Sequence, residues 1–209
     1  MIRMNGRFCI LIVALFFAPA VLAEELPLVQ VALHAGYRFG GSLEDSVTGD
    51  SRDLDDTGSF ALALEMRYRR GDDRYFQLWY SRQGSSVDDS GSIHDVDVEY
   101  LHFGGTVPFG DSDKVRGYLA MGIGATRFSP AGAGASDETQ FSGSLGLGVA
   151  IPLSERMALR LEARGYLTAV NSNSAIFCRA DNGSGFCRIV ASGSSILQTE
   201  LLAGLVIGF

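Results

Sequence analysis

From residue 29 onward, apolar and polar side chains alternate with a period of two, the signature of strands whose faces meet different surroundings. Clusters of Gly, Asp and Ser divide the alternation into eight predicted strands, at 29–40, 58–69, 74–82, 96–109, 115–128, 138–152, 157–168 and 195–209. The connections at 41–57, 83–95, 129–137 and 169–194 are long, whereas those at 70–73, 110–114 and 154–156 are tight turns. Long connections on one end and short ones on the other predict an all-β, antiparallel up-and-down meander.

Each strand carries one continuous apolar row, such as Leu33, Ala35, Tyr37 and Phe39 in the first and Leu201, Ala203, Leu205, Ile207 and Phe209 in the last. The opposite rows are small or polar, with His34, Gln77, Trp79, His102, Ser142, Ser144, Tyr166 and a set of paired charges. Alternation does not say which face is the core, so a lipocalin-like barrel or sandwich with the apolar row inside competes with a membrane barrel that turns it outward. Three features favour the membrane barrel. Aromatics of the apolar row gather near strand ends (Phe39, Phe60, Tyr68, Tyr80, Phe109, Phe128, Phe141, Phe209), as interfacial girdles require. Most strands reach the ~9–11 residues that a tilted strand needs to cross lipid. Glycines collect on the polar face, where a narrow closed barrel has little room.

Composition removes other classes. With 26 Gly but only 5 Pro, and 46% hydrophobic residues, the chain fits neither a disordered segment nor a collagen-like repeat. After the N-terminus no stretch approaches the ~18 consecutive apolar residues of a membrane helix. Residues 1–23 carry Arg3 and Arg7, then an apolar run from Phe8 to Phe17, then small residues ending at Ala23; they are read as a cleaved secretory signal peptide, with 24–209 forming one domain. Cleavage takes the net charge from −7 to −9 by removing the two arginines, which argues against nucleic acid as a partner. In an oxidising compartment the remaining Cys178 and Cys187 are expected to close a structural disulfide around a turn-rich octapeptide. No metal or cofactor is expected, since His34, His94 and His102 lie far from the cysteines.

The segment Val115-Arg116-Gly117-Tyr118-Leu119-Ala120-Met121-Gly122-Ile123-Gly124-Ala125 resembles the fifth strand of the small outer-membrane β-barrel domain family, which includes the membrane domain of outer-membrane protein A. Gly117 stands where many relatives have proline. The ending Leu205-Val206-Ile207-Gly208-Phe209 is similar to the C-terminal aromatic signal that the barrel-assembly machinery reads, with Phe209 as its last residue. The resemblance implies a Gram-negative outer membrane, termini and short turns in the periplasm, and four long loops outside. It also implies lipopolysaccharide and outer-membrane lipid as surroundings, and barrel-assembly machinery and periplasmic chaperones as partners in biogenesis.

The inward charges are the most informative chemistry. Arg38, Arg67, Arg160 and Arg164 face Glu65, Glu162 and Glu200, a nearly balanced set that an interior screened from water must pair. Arg164 with Glu200 is the expected pair, and His34 with Glu65 the second. The network reads either as a static plug in a narrow eight-stranded interior or as a gate for small solutes or ions, and the plug is favoured. A lipid A-modifying enzyme would need a serine and histidine on the lipid side with an orienting acid; none of His34, His94 and His102 is expected to have a nearby serine with the same facing, since His34 and His102 read as inward and His94 as a loop residue, so no catalytic residue is assigned. The acidic first loop (Glu44, Asp45, Asp50, Asp53, Asp55, Asp56) is read as solvated, because a calcium loop starting at Asp53 would place Leu64 where a bidentate glutamate belongs. Arg70-Gly71-Asp72 in a short turn and Asn182-Gly183-Ser184 are read as chance matches to adhesion and glycosylation motifs. The long 169–194 connection, with Arg179 and Arg188, is the candidate recognition loop. The reading is a non-enzymatic barrel acting structurally or through its loops.

Overall fold

Alternation is realised as eight long strands that close on themselves. The computed structural model describes residues 27–44, 51–89, 92–110, 114–130, 137–169, 178–181, 184–187 and 195–209. The wall consists of β1 (Val29–Phe39), β4 (Thr57–Arg67), β5 (Tyr75–Asp89), β6 (Ser92–Phe109), β7 (Arg116–Pro130), β8 (Glu138–Ser154), β9 (Met157–Ala169) and β12 (Ser195–Gly208). Two short pairs, β2 (Ser42–Glu44) with β3 (Ser51–Asp53) and β10 (Cys178–Asp181) with β11 (Ser184–Cys187), lie in the first and last long connections. Every wall strand pairs antiparallel with its sequence neighbour, and β1 pairs with both β4 and β12, which closes the barrel and leaves no free edge. Closure is fastened at the chain end, where the Leu28 and Val29 amides donate to the Phe209 carbonyl and the Phe209 amide donates to Val29.

The apolar rows face outward. Leu33, Leu64, Phe103, Ile123, Leu145, Leu167 and Leu201 are exposed on the outer wall, whereas Arg38, Glu65, Glu200, Ser81 and Thr168 are fully buried inside. Glycines on the inner rows make room for larger neighbours. A Cβ on Gly146 would press on Glu162, one on Gly148 on the Tyr118 ring, and one on Gly204 on the His34 ring.

The structure differs from the sequence reading at three places. The expected 83–95 loop is mostly strand, because β5 and β6 continue their ladder to Asp89 opposite Ser92. Beyond the wall, neither face of this hairpin needs an apolar row, so its polar sequence does not announce a strand. Phe128 belongs to the inner parity with Thr126 and is fully buried, so it is no part of the outer girdle. The inner rows are also less polar than expected, since Val96, Val98, Ile196, Leu202 and Val206 are buried there. Residues 1–23 lie outside the described residues.

Candidate functional site

Inner side chains build a stack of tiers between a loop end and a turn end. Near the loop end Arg38 Nη2 meets Glu200 Oε1 at 3.1 Å and also donates to Ser81. Ser81 Oγ donates to Glu200 at 3.0 Å, and the Tyr166 hydroxyl donates to the second Glu200 oxygen at 2.5 Å. The Arg38 guanidinium lies over the rings of Tyr100 and Tyr166, 4.8 and 5.2 Å from their centroids, and those rings stack 4.1 Å apart. Trp79 Nε1 donates to the Tyr166 hydroxyl at 3.0 Å.

In the middle tier Arg164 lies on the Trp79 ring at 3.7 Å, donates to Glu162 at 2.5 Å and reaches Gln77 Oε1 at 3.0 Å. The Tyr118 hydroxyl completes Glu162 at 2.7 Å. The lower tier is a two-point pair of Arg160 with Glu65, at 2.7 and 2.8 Å, with Gln77 Nε2 donating to the same carboxylate at 2.8 Å. Arg67 lies nearest the turn end, donating to the Pro27 carbonyl at 2.9 Å.

All seven charges of the expected network are therefore buried together, but their pairing differs from expectation. Arg164 and Glu200 face each other in the ladder, yet Arg164 is held by Glu162 two residues along its own strand and Glu200 by Arg38 from the other neighbouring strand. Cross-strand opposition fixes Cα positions only; long guanidiniums go where aromatic faces receive them, here Trp79 for Arg164 and the Tyr100–Tyr166 stack for Arg38. His34 is not paired with Glu65. It sits 5.3 Å from the Trp79 ring, and neither ring nitrogen has a hydrogen-bond partner. Tyr100, Tyr118 and Ser81 escaped the sequence reading, although inner parity with His102, Ala120 and Trp79 marks them.

A second difference concerns His102. Its ring nitrogens lie 2.8 Å from the hydroxyls of Ser142 and Ser144, two serines on the same inward face. The ring spans the intervening strand because β7 offers only Gly122 and Gly124 there, and a Cβ on Gly124 would meet the Leu101 carbonyl and the His102 ring. Both serines pair with a histidine buried in the lumen, not one on the lipid side as a lipid A-modifying site requires. Among the described residues, no group of three His, Cys, Asp or Glu is arranged to hold a metal ion.

The two ends of the stack are unlike. At the loop end, the segment around Leu54, read in sequence as solvated, is docked across the mouth. Leu54 is 3% exposed and clusters with Val96, Val98, Phe128 and Ile196. Its amide donates to Gly41, the Asp55 amide donates to Ser86, Ser85 Oγ donates to the Asp55 carbonyl and Tyr37 OH to the Asp56 carbonyl. The Asp56 carboxylate also accepts from the Gly40 amide at 3.0 Å and the Asp55 carboxylate from Ser86 Oγ at 2.5 Å, so the exposed acidic side chains help to fasten the segment. At the turn end a cavity of about 330 Å³ opens between Pro27, Tyr75, Pro108, Tyr118, Ala150 and Arg160. In the first turn Arg74 grips Asp72 through Nε at 2.9 Å and through the backbone amide at 2.9 Å, holding that carboxyl down at about 2. Asp72 is thus occupied within its own turn, which disfavours Arg70-Gly71-Asp72 as an adhesion motif.

In β10 and β11 the backbone register sets Cys178 opposite Cys187. Their side chains, with most of the 169–194 connection, lie outside the described residues.

The sequence profile described as outer membrane protein beta-barrel domain matches residues 9–185. Three solved structures are similar in fold. The crystal structure of Neisserial surface protein A is 17% identical, with a TM-score of 0.58, over 87% of this chain and 97% of that one. Outer membrane protein OprG from Pseudomonas aeruginosa is 10% identical, with a TM-score of 0.57, over 90% and 99%. Outer membrane protein AlkL, solved by solid-state NMR in lipid bilayers, is 14% identical, with a TM-score of 0.53, over 92% and 95%. No protein of curated function matches the sequence.

Proposed function

The chain belongs to the outer membrane protein β-barrel domain family, and on that premise we propose that it is a non-enzymatic protein of a Gram-negative outer membrane, acting structurally or through its loops. The carrying observation is the filled lumen: three tiers of paired charges and stacked rings lie beneath an apolar seal centred on Leu54. Such an interior is a plug, not a conduit.

The remaining surface for recognition is the loop end, which we place outside the cell, with termini and short turns in the periplasm. It is acidic, with Asp55 and Asp56 exposed. The β10–β11 hairpin belongs to this surface, and a Cys178–Cys187 disulfide between residues opposed in register would stiffen it. Outer-membrane lipid and lipopolysaccharide form its lateral surroundings. Barrel-assembly machinery and periplasmic chaperones serve its biogenesis, with exposed Phe209 beside β1 as the assembly signal.

The test is reconstitution of the mature protein, verified as folded by its heat-dependent shift in gel mobility, followed by planar-bilayer recording. No steady conductance is expected. Large, steady channels that vanish in Glu200→Gln or Arg164→Gln would overturn the plug in favour of a gate, and release of acyl chains from lipid A by the same sample would overturn the non-enzymatic reading.

A further inference from the structure

Among the described residues the lumen holds one cation too many. Arg38, Arg160 and Arg164 each have a glutamate there, but Arg67 has none. It is 7% exposed, its Nη2 is spent on the neutral Pro27 carbonyl, its Nε has no partner, and its guanidinium lies 5.9 Å from the Tyr75 ring centroid. A buried guanidinium without a counter-charge is unfavourable, and an anion able to reach its field is correspondingly attracted.

Arg67 stands directly behind Pro27 and Tyr75, both of which line the turn-end cavity. At about 330 Å³ that cavity falls at the lower end of small-ligand sites, about 300–1,000 Å³, and its apolar walls are interleaved with polar and charged side chains, Gln30, Thr106 and Ser154 among them. Pro108, Ala150, Pro152, Ala158 and Val206 form the walls. On its inner side is Arg160, also nine-tenths buried and also with an unpartnered Nε. Arg116 and Arg156 stand at the lining too, so with Arg160 it holds three arginines against two carboxylates, Glu155 and Asp73, the latter drawn to Arg116 at 3.8 Å.

We propose that this vestibule binds a small amphiphilic monocarboxylate, its short apolar body against the proline and alanine walls and its carboxylate turned toward Arg160 and Arg67. This adds a site at the end of the barrel opposite the loops, and it requires no passage through the lumen.

The probe is hexanoate, titrated into the mature protein in lipid nanodiscs while the methyl resonances of Ala150, Ala158 and Val206 are followed. Saturable shifts are expected with hexanoate, and binding roughly tenfold or more weaker with hexylamine, the difference a charge-assisted contact makes. Ala158→Phe, which fills the vestibule, should abolish the shifts. Arg67→Gln should weaken hexanoate by a similar factor and leave the heat-dependent mobility shift intact, because no carboxylate loses a partner. Equal responses to hexanoate and hexylamine, or full hexanoate binding by Arg67→Gln, would overturn the proposal. So would hexanoate binding that emerges only in Glu24→Gln/Glu25→Gln, because the counter-charge would then be the chain's own.

Discussion

The buried pairs differ in what they hold. The Arg160–Glu65 contact is two-point and buried, and removing one partner from such a pair leaves an uncompensated charge worth about 3–5 kcal/mol. Glu65→Gln should therefore lower the unfolding free energy in lipid vesicles by that order, and Glu65→Gln/Arg160→Gln by less than the two single changes together, as a double-mutant cycle in urea would show. If the single and double changes simply add, the pair is not a unit. Asp72 behaves differently because it is exposed. Its folded pKa, depressed to about 2 by Arg74, lies below the ordinary value of 3.8, so the support it lends the turn is fully present above pH 3.8 and is lost as pH falls through 2. Amide exchange in the 70–74 turn should stay slow at pH 4 and quicken only below 3. Asp72→Asn should remove that dependence.

At the scale of strands, the eight wall elements were legible because one face must be apolar along its whole length, and that requirement writes a period of two into the sequence. The rule fails where the requirement lapses. Above the wall, the β5–β6 hairpin is strand by backbone pairing alone, and its Ser- and Asp-rich sequence reads as loop. Leu54 misled in the opposite way: one apolar residue among acids looks incidental until the fold brings Val96, Val98, Phe128 and Ile196 beneath it. The identities of the charged set were readable from parity, but the partners were not, since they depend on where Trp79, Tyr100 and Tyr166 offer ring faces to the guanidiniums. His102 shows the same limit, for its serines lie two strands away and become reachable only over Gly122 and Gly124. That reach makes a prediction at this scale. In Gly124→Ala the new methyl would collide with the Leu101 carbonyl, a backbone atom that cannot yield without parting β6 from β7. The variant should fold in lower yield and lose the heat-dependent mobility shift at a lower temperature than Ala125→Leu, a larger change made on the outer face.

For the molecule as a whole, stability and recognition occupy separate parts. The continuous ladder from β1 through β12, closed at Val29–Phe209, satisfies the wall's backbone and encloses the charge tiers, whereas among the described residues the connections at the loop end contribute the Leu54 seal to that interior. Replacing 178–187 by a short glycine-serine linker should leave the mobility shift and unfolding midpoint close to native, because loop length costs little free energy and the wall ladder does not include this hairpin. Leu54→Asp should act differently, destabilising the mouth by placing a carboxylate against Val96 and Phe128, while the tiers below still block passage. Bilayer recordings of the two variants separate the roles. Both should remain non-conducting if the tiers alone close the lumen. If Leu54→Asp gives steady conductance while the linker variant does not, closure resides in the seal, and the segment around Leu54 is the moving part of a channel.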